Sequence, residues 1–311
     1  MRRRRNKISR RLVATVIVAS LIVLAAVVAI LTLSGVVFPS SSAQAASRAV
    51  NYLAANYNRS IGMIPEVSKG NTYFVYSDNF LAAYVLGKFG NSTVRAMAAN
   101  ITSTDDRYLA MVGHPENQYQ VITSGNGAFF ASSNYVVAHV GSAVIETTQN
   151  NGTTALSPKN YSDIAFVEAL YWHQQRNANY SVINFNLGSR LYDGRGIVDQ
   201  TTTGGEYQTY KLALYDYVGK ILGRAVPAGV EADLVRLQAP DGGFYTGYYY
   251  DLATGGTTTN TETTSLAILA LSTQNAQSGL SALGLVPFGT AVELLVALES
   301  SGRSSGRIRM S

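Results

Sequence analysis

Four acidic residues stand where a long polar stretch of the chain runs into an apolar segment: Asp78, Asp163, Glu206 and Glu262. A carboxylate at the start of a helix is stabilised by the free N–H groups and by the helix dipole, so capping is one interpretation of each residue. The other interpretation is chemical. Two carboxylates brought to one cleft can act as acid and base, or as acid and nucleophile, on a glycosidic bond.

Further acidic residues extend this candidate set. Glu66 lies in the loop segment "IPEVSKG", and Asp199 and Asp241 lie in later loops. Glu168 stands in the middle of an apolar segment, where burial would raise the pKa of its carboxyl towards that of a useful acid, although it could also point outward. The predicted catalytic residues are Asp78, Glu206, Glu262, Glu66 and Glu168.

Tyrosine is the dominant aromatic residue, with 20 Tyr against ten Phe and one Trp. A tyrosine ring offers a flat surface with a hydrogen-bonding tip, which suits a sugar better than a lipid. The alternative is that these rings cover the core at a wet surface. The predicted substrate-binding residues lie in or beside the loops: Tyr73, Tyr76, Tyr207, Tyr245 and Tyr248.

Other kinds of site find little support in the sequence. The three histidines, His114, His139 and His173, are scattered without metal-ligand spacing, and cysteine is absent. A calcium site built from Asp193, Asp199 and Glu206 lacks EF-hand spacing. We therefore expect no metal and no cofactor.

The basic net charge does not indicate nucleic acid as a partner. Of 24 Lys and Arg, seven precede Leu12 and three lie in the tail 301–311, which leaves 14 against 19 carboxylates. The central part of the chain is thus acidic and offers no basic face to phosphate. No nucleic-acid partner is expected.

The N-terminus predicts a membrane anchor. A basic segment, residues 1–11, precedes an uncharged run of 27 residues, 12–38, which as a helix is long enough to span a bilayer. The positive charge places the N-terminus in the cytoplasm and the remainder outside, in a single-pass arrangement. The alternative is a cleaved signal peptide, because Ala43-Gln44-Ala45 has the small-x-small form of a cleavage site.

The remainder divides into a short linker, 39–45, an extracytoplasmic domain, 46–300, and a flexible basic tail, 301–311. A β-rich insertion is expected at about 118–148, because Tyr119 to Thr148 is rich in Val, Ile, Phe and Tyr with Gly and Asn at turns. Glycosylation sequons occur at Asn58, Asn91, Asn100, Asn151, Asn160 and Asn179. Sequons are also common by chance in a chain this rich in Asn, Ser and Thr.

Hydrophobic periodicity predicts two alternating kinds of helix in this domain. Amphipathic segments are outer helices, and segments that are apolar on every side are inner helices. The outer segments are 46–57, 91–102, 178–191, 227–238 and 288–299; the inner ones are 80–86, 164–172, 210–222 and 265–271. Every outer-to-inner connection is long, so the long loops are expected to gather at one end and to form a cleft there.

Internal repeats indicate one structural unit used several times. "YSDNFLAAYVL" at Tyr76 returns as "YSDIAFVEALYW" at Tyr161, and "DGRGIVDQ" at Asp193 parallels "DGGFYTGY" at Asp241. The unit "LQAPDGGF…TTSLAILAL" resembles the repeat of terpenoid cyclases and prenyltransferases, and the arrangement is similar to six-hairpin glycosidases and polysaccharide lyases, all members of the α/α-toroid superfamily. The chain also resembles membrane-anchored exported proteins of archaea that carry such domains.

This resemblance implies a mainly α fold, a complete or partial α/α toroid of helical hairpins. The chain departs from it in two ways, since nine predicted helices fall short of the twelve of a complete ring, and the cyclase aspartate-rich motif and prenyltransferase zinc ligands are not visible. We expect a membrane-anchored extracytoplasmic domain that binds or cleaves carbohydrate as a glycosidase or lyase does. The alternative is a non-enzymatic surface glycoprotein whose loop face docks envelope proteins.

Overall fold

The computed structural model describes residues 41–68, 72–112, 115–125, 130–252 and 258–274. The predicted membrane segment 12–38, the predicted outer helix 288–299 and the tail 301–311 lie outside these residues. Within the described ranges, no helix is both long enough and apolar enough to cross a bilayer.

The described part is mainly helical, with one small sheet and a short two-stranded ribbon. The helices are α1 Ser41–Ala55, α2 Tyr76–Phe89, α3 Ser92–Leu109, α4 Ser162–Gln174, α5 Ala178–Ser189, α6 Thr209–Leu222, α7 Gly229–Arg236 and α8 Thr261–Ser272, with a 3-10 helix at Gln118–Ile122. The strands are β1 Tyr73–Val75, β2 Pro115–Glu116, β3 Phe130–Val140, β4 Ala143–Ala155, β5 Tyr207–Gln208 and β6 Gly247–Tyr248.

Burial separates the helices into the two predicted kinds. In α8 every residue from Thr263 to Leu271 is buried, and from Leu266 to Leu271 all of them are apolar. In α1 a single stripe that includes Ala45, Ala49 and Leu53 faces the core. The even-numbered helices therefore form an inner layer, and the odd-numbered helices lie outside it.

The inner helices pack side by side in the order α4, α6, α8, α2. The 3-10 helix contacts both α4 and α2, at the two ends of this order. Outside, α3 packs on α2, α5 on α4 and α7 on α6, as the hairpins predict. The first helix, α1, packs on the last inner helix, α8, so each inner helix has an outer partner among the described elements.

The connections follow the predicted alternation. Two to six residues join an inner helix to the next outer one, whereas the outer-to-inner connections are all long. Three of the long connections begin with a short turn closed by an antiparallel bridge, which joins Asn58 to Met63, Tyr192 to Ile197 and Gln238 to Phe244. The repeats seen in the sequence are therefore repeats of one helix–turn unit, and the inner helices start at one common face.

The insertion between α3 and α4 is built differently from its prediction. The hairpin β3–β4 extends to Ala155, and β4 also pairs with β1 in parallel and with β2. Residues 118–122 form a 3-10 helix because the Asn117 side chain accepts a hydrogen bond from the Tyr119 N–H and turns the chain there. Beneath the sheet, Met63, Phe74 and Ile145 form a second small core.

The predicted linker 39–45 is helical from Ser41 onward. Ala45 and Ala46 continue the buried stripe of α1, and the Ala45 carbonyl accepts a hydrogen bond from the Gln238 side chain at 2.7 Å. Because these residues pack against the core, the described domain begins earlier than the sequence predicts.

Candidate functional site

The first turns of the four inner helices meet at the face built by the long connections. Asp78 lies in the first turn of α2, Asp163 in that of α4 and Glu262 in that of α8. The equivalent positions of α6 hold Tyr210 and Lys211. Because the inner helices are parallel neighbours, residues far apart in the chain form one acidic cluster.

Asp78 is the most deeply buried carboxyl of the cluster, at 5% exposure. Burial raises its pKa well above the ordinary value, and the negative charges of Glu262 and Glu66 raise it further. The Ser77 hydroxyl, which donates to it at 3.2 Å, opposes this shift only in part. The environment therefore favours the protonated, neutral form of Asp78.

Glu262 has a different set of neighbours. Burial is the largest effect and raises its pKa, as do the charges of Asp163 and Glu66. Two groups oppose this rise: the Tyr119 hydroxyl, which donates to Oε1 at 2.6 Å, and the positive charge of Lys211. The pKa of Glu262 remains raised, but the nearby cation that favours its carboxylate form has no counterpart at Asp78, whose described donor is the Ser77 hydroxyl.

Glu66 reaches the cluster from the connection between α1 and α2. Its carbonyl accepts a hydrogen bond from the N–H of Thr261 at 2.9 Å, so the backbone at Glu66 is fixed to the start of α8. The Thr261 hydroxyl also donates to the carbonyl of Pro65. Burial and the charge of Glu146 raise the pKa of Glu66.

Asp163 is paired with a tyrosine on the next inner helix. The Tyr210 hydroxyl donates to Oδ2 of Asp163 at 3.1 Å, and burial together with this carboxylate raises the pKa of Tyr210 well above its usual value. The other oxygen, Oδ1, is buried and has no hydrogen-bond partner among the described residues. One acceptor of the cluster is therefore unused.

Behind the cluster lies a buried ion pair that joins three elements. Lys211 on α6 donates to Asp199 at 2.6 Å, and the two side chains are 1% and 0% exposed. Asp199 also accepts hydrogen bonds from the N–H and hydroxyl of Ser162 at the start of α4. Burial raises the pKa of Asp199, but these donors outweigh it and lower the pKa to about 2.

The other two predicted catalytic residues lie apart from these contacts. Glu206 precedes β5, and its carboxylate lies directly against Gly247 in the β5–β6 ribbon. Glu168 is half-buried in the middle of α4, and burial raises its pKa. The structure thus brings together three predicted residues, Asp78, Glu262 and Glu66, and no described contact links Glu206 or Glu168 to them.

The predicted tyrosines divide by exposure. Tyr207 and Tyr248 pack ring against ring at 5.3 Å in the ribbon, and their hydroxyls donate to Asp193 and to the carbonyl of Arg195. Tyr76, Tyr207 and Tyr248 are all buried, so none of the three offers an open ring face on which a sugar could stack. Tyr73 is 50% exposed and Tyr245 is partly exposed, so these two remain available.

Two residues of the cluster escaped prediction for different reasons. Tyr119 lies in a segment whose sequence favours strand, and no local pattern connects it to Glu262. Lys211 could have been predicted from the sequence, because it is a charged residue in the first turn of an apolar helix, as Asp78 and Asp163 are.

A cavity of about 610 Å³ lies at the opposite end of the inner helices, between the starts of α1 and α7 and the end of α6. Its wall includes Lys220, whose ammonium group donates to Asp216, to Glu231 and to the carbonyl of Ala270. All three N–H donors of this lysine are satisfied within the protein. The cavity is separate from the acidic cluster, because no residue of the cluster lines it.

Comparisons with known proteins give a likeness in structure but none in sequence. No protein-family model matches the chain, and no curated protein matches it. An inactive variant of the α-1,6-mannanase GH76A of Salegentibacter sp. HEL1_6, solved in complex with α-1,6-mannotriose, is similar in structure with a TM-score of 0.45 and 10% sequence identity. The likeness covers 75% of this chain and 98% of the mannanase.

Proposed function

We propose that the loop face binds a glycan and hydrolyses its glycosidic bond, with Asp78 as the acid and Glu262 as the base or nucleophile. The observation that carries this proposal is the contrast between two carboxyls of one cluster. Burial and neighbouring carboxylates raise the pKa of both groups, that of Asp78 well above its ordinary value, whereas at Glu262 the Tyr119 hydroxyl and the charge of Lys211 oppose the rise. Paired carboxyls in environments that separate their pKa values are what acid–base catalysis requires.

Each group has a defined task in such a reaction. Asp78, in its protonated form, gives a proton to the leaving oxygen. Glu262 either activates a water molecule or attacks the sugar carbon, and the separation of the two carboxyl groups on the bound substrate selects between these routes. The remaining carboxylates, Glu66 and Asp163, add negative potential that stabilises the positive charge of the oxocarbenium-like transition state.

Hydrolysis fits the charges of the site better than lyase chemistry does. A lyase acting on uronic acids must neutralise the carboxylate of its substrate before a proton can leave the neighbouring carbon. Among the described groups, the charged neighbours of Asp78 and Glu66 are all carboxylates, and Lys211 is already paired with Asp199. We therefore propose a neutral or amino sugar as the substrate class.

The proposal includes the location of the protein. The basic segment 1–11 followed by the apolar run 12–38 supports a single-pass membrane protein whose domain lies outside the cytoplasm. A glycan of the cell's surroundings or envelope would then be within reach of the loop face.

The test is a glycan panel with the full-length protein. Neutral, amino and acidic oligosaccharides and polysaccharides are screened for binding and for release of reducing ends. Release from neutral or amino glycans should disappear in Asp78→Asn and in Glu262→Gln. Asp233→Asn, on the outer helix α7, is the matched control and should retain it. A Glu206→Gln arm decides whether that residue also takes part.

Each other outcome points to a different function. Binding without release would leave a carbohydrate-binding module and would remove the catalytic role of the cluster. Release from acidic glycans alone would contradict the charge argument. If no glycan of the panel is bound or cleaved, the result would favour a non-enzymatic surface protein that docks envelope proteins.

A further inference from the structure

The 3-10 helix at Gln118–Ile122 carries one side chain into the acidic cluster. This segment belongs to the insertion between α3 and α4 and contacts the two inner helices α2 and α4. Tyr119 points inward from it and is 1% exposed. Its hydroxyl donates to Oε1 of Glu262, a residue 143 positions later in the chain, at 2.6 Å.

The segment that carries Tyr119 is itself held at both ends. The Asn117 side chain accepts a hydrogen bond from the Tyr119 N–H at 2.9 Å. Gln174, the last residue of α4, donates from its side chain to the carbonyl of Val121. Because these bonds fix the backbone on either side, the ring of Tyr119 has a defined direction, towards the start of α8.

The bond between Tyr119 and Glu262 is not required to cap α8. The N-cap residue of this helix is Asn260, whose side chain accepts a hydrogen bond from the N–H of Thr263 at 2.8 Å. Two of the free N–H groups at the start of α8 are thus satisfied by other residues, that of Thr263 by Asn260 and that of Thr261 by the carbonyl of Glu66. A buried tyrosine bonded to Glu262 serves its carboxylate instead.

We propose that Tyr119 is a positioning residue, whose hydroxyl holds the Glu262 carboxylate in one orientation and thereby fixes its role in the reaction of the loop face. This inference rests on the proposed function. The insertion then forms part of the site, because it supplies the hydrogen-bond donor to the Glu262 carboxylate.

The expected consequence of losing the hydroxyl follows from the groups that face Glu262. These are Asp78 on α2, Asp163 on α4, Tyr210 and Lys211 on α6, and Glu66 on the first long connection. Three of these five groups are carboxyls and Lys211 is the one cation among them, so without Tyr119 the charged form of Glu262 loses its hydrogen-bond donor and keeps the repulsion of its neighbours. The pKa of Glu262 should therefore rise in Tyr119→Phe, whose ring retains its volume.

The first measurement is the titration of Glu262 itself in the full-length protein. The chain contains nine glutamates, so labelling glutamate with ¹³C at the carboxyl carbon gives a small set of signals, and the signal absent in Glu262→Gln identifies this residue. In Tyr119→Phe we expect its midpoint to move up by about one pH unit, as loss of a hydrogen bond to a charged group implies. Tyr217→Phe removes another buried hydroxyl, on α6, and is the matched control.

The second measurement is the pH profile of glycan release. If Glu262 acts as base or nucleophile, the acidic limb of the profile should move to higher pH by the same amount in Tyr119→Phe and not in Tyr217→Phe. An equal titration midpoint in wild type and Tyr119→Phe would overturn the positioning role. A moved midpoint in a protein that releases no sugar would instead overturn the proposed function while leaving the contact intact.

Discussion

Replacing Lys211 with methionine should strongly destabilise the domain. The substitution keeps the length and apolar stem of the side chain but removes the ammonium group that donates to Asp199 at 2.6 Å. Both side chains are buried, at 1% and 0% exposure, so water cannot replace the lost partner. Asp199 would retain its neutral donors, Ser162 and Thr201, and a buried negative charge without a counter-ion.

The magnitude follows from the burial of the pair. Removing one partner of a buried ion pair costs about 3 to 5 kcal/mol, because the remaining charge is left uncompensated. A domain of this size loses about 2 to 4 °C of Tm per kcal/mol. The melting temperature of Lys211→Met should therefore fall by roughly 10 °C.

The assay is thermal unfolding of the full-length protein followed by circular dichroism at neutral pH. Lys88→Met is the matched control, because Lys88 is exposed on α2 and its removal should change the unfolding free energy by less than about 0.5 kcal/mol. A second set of variants combines Asp199→Asn with the wild-type lysine and with Lys211→Met. Two results would show that the ion pair does not stabilise the domain. One is an equal melting temperature for Lys211→Met and Lys88→Met. The other is an equal cost of Asp199→Asn with methionine and with lysine at position 211.

Three further predictions concern pH and backbone geometry. Burial and the charge of Asp106 raise the pKa of Asp105 well above its ordinary value. The folded domain should therefore lose stability as pH rises from the ordinary aspartate pKa towards neutral, and Asp105→Asn should lessen this loss between about pH 5 and about pH 7.5 in urea unfolding. The same difference in stability between the two pH values in wild type and variant would contradict this prediction. The pKa of Asp199 is lowered from 3.8 to about 2, so its contribution to the free energy of unfolding should be present above about pH 4 and be lost as pH falls through about 2. The acid-unfolding curve of Asp199→Asn should lack this loss. Gly242 has φ +100°, and an added Cβ would meet the carbonyl oxygen of Arg48 at 2.6 Å. Gly242→Ala should therefore melt at least several degrees lower than Gly204→Ala, a control position where φ is also positive but the space is open. Equal melting temperatures would refute the close approach.

Part of the candidate site was predictable because its residues belong to a repeated local pattern. Asp78 and Asp163 occupy the same position in "YSDNFLAAYVL" and "YSDIAFVEALYW", and Glu262 stands at the start of a third apolar helix. A residue in the first turn of a parallel inner helix lies at the shared face whatever the details of packing. The pattern therefore predicted the cluster of Asp78 and Glu262, and the structure places Glu66 beside them.

The same reasoning could not separate accessible tyrosines from buried ones. Tyr207 and Tyr248 lie in glycine-rich loops, which favour exposure, yet the two loops pair as a ribbon and stack one ring on the other. Glu206 lies one residue before this ribbon and is held there beside Gly247. Loop pairing of this kind depends on two segments about 40 residues apart, so no single stretch of sequence reveals it.

The sequence by itself determined the layers of this protein, because burial on one side or on every side of a helix leaves a periodic trace in the chain. It determined the common face of the long connections for the same reason, since alternating outer and inner helices must run in opposite directions. Only the tertiary structure decided that α1 packs on α8, that Lys211 pairs with Asp199, and that Tyr119 donates to Glu262. The first and last of these contacts join residues more than 100 positions apart, so no local pattern reveals them. The ion pair joins residues close in the chain, but it forms only because the loop that carries Asp199 folds over the start of α6.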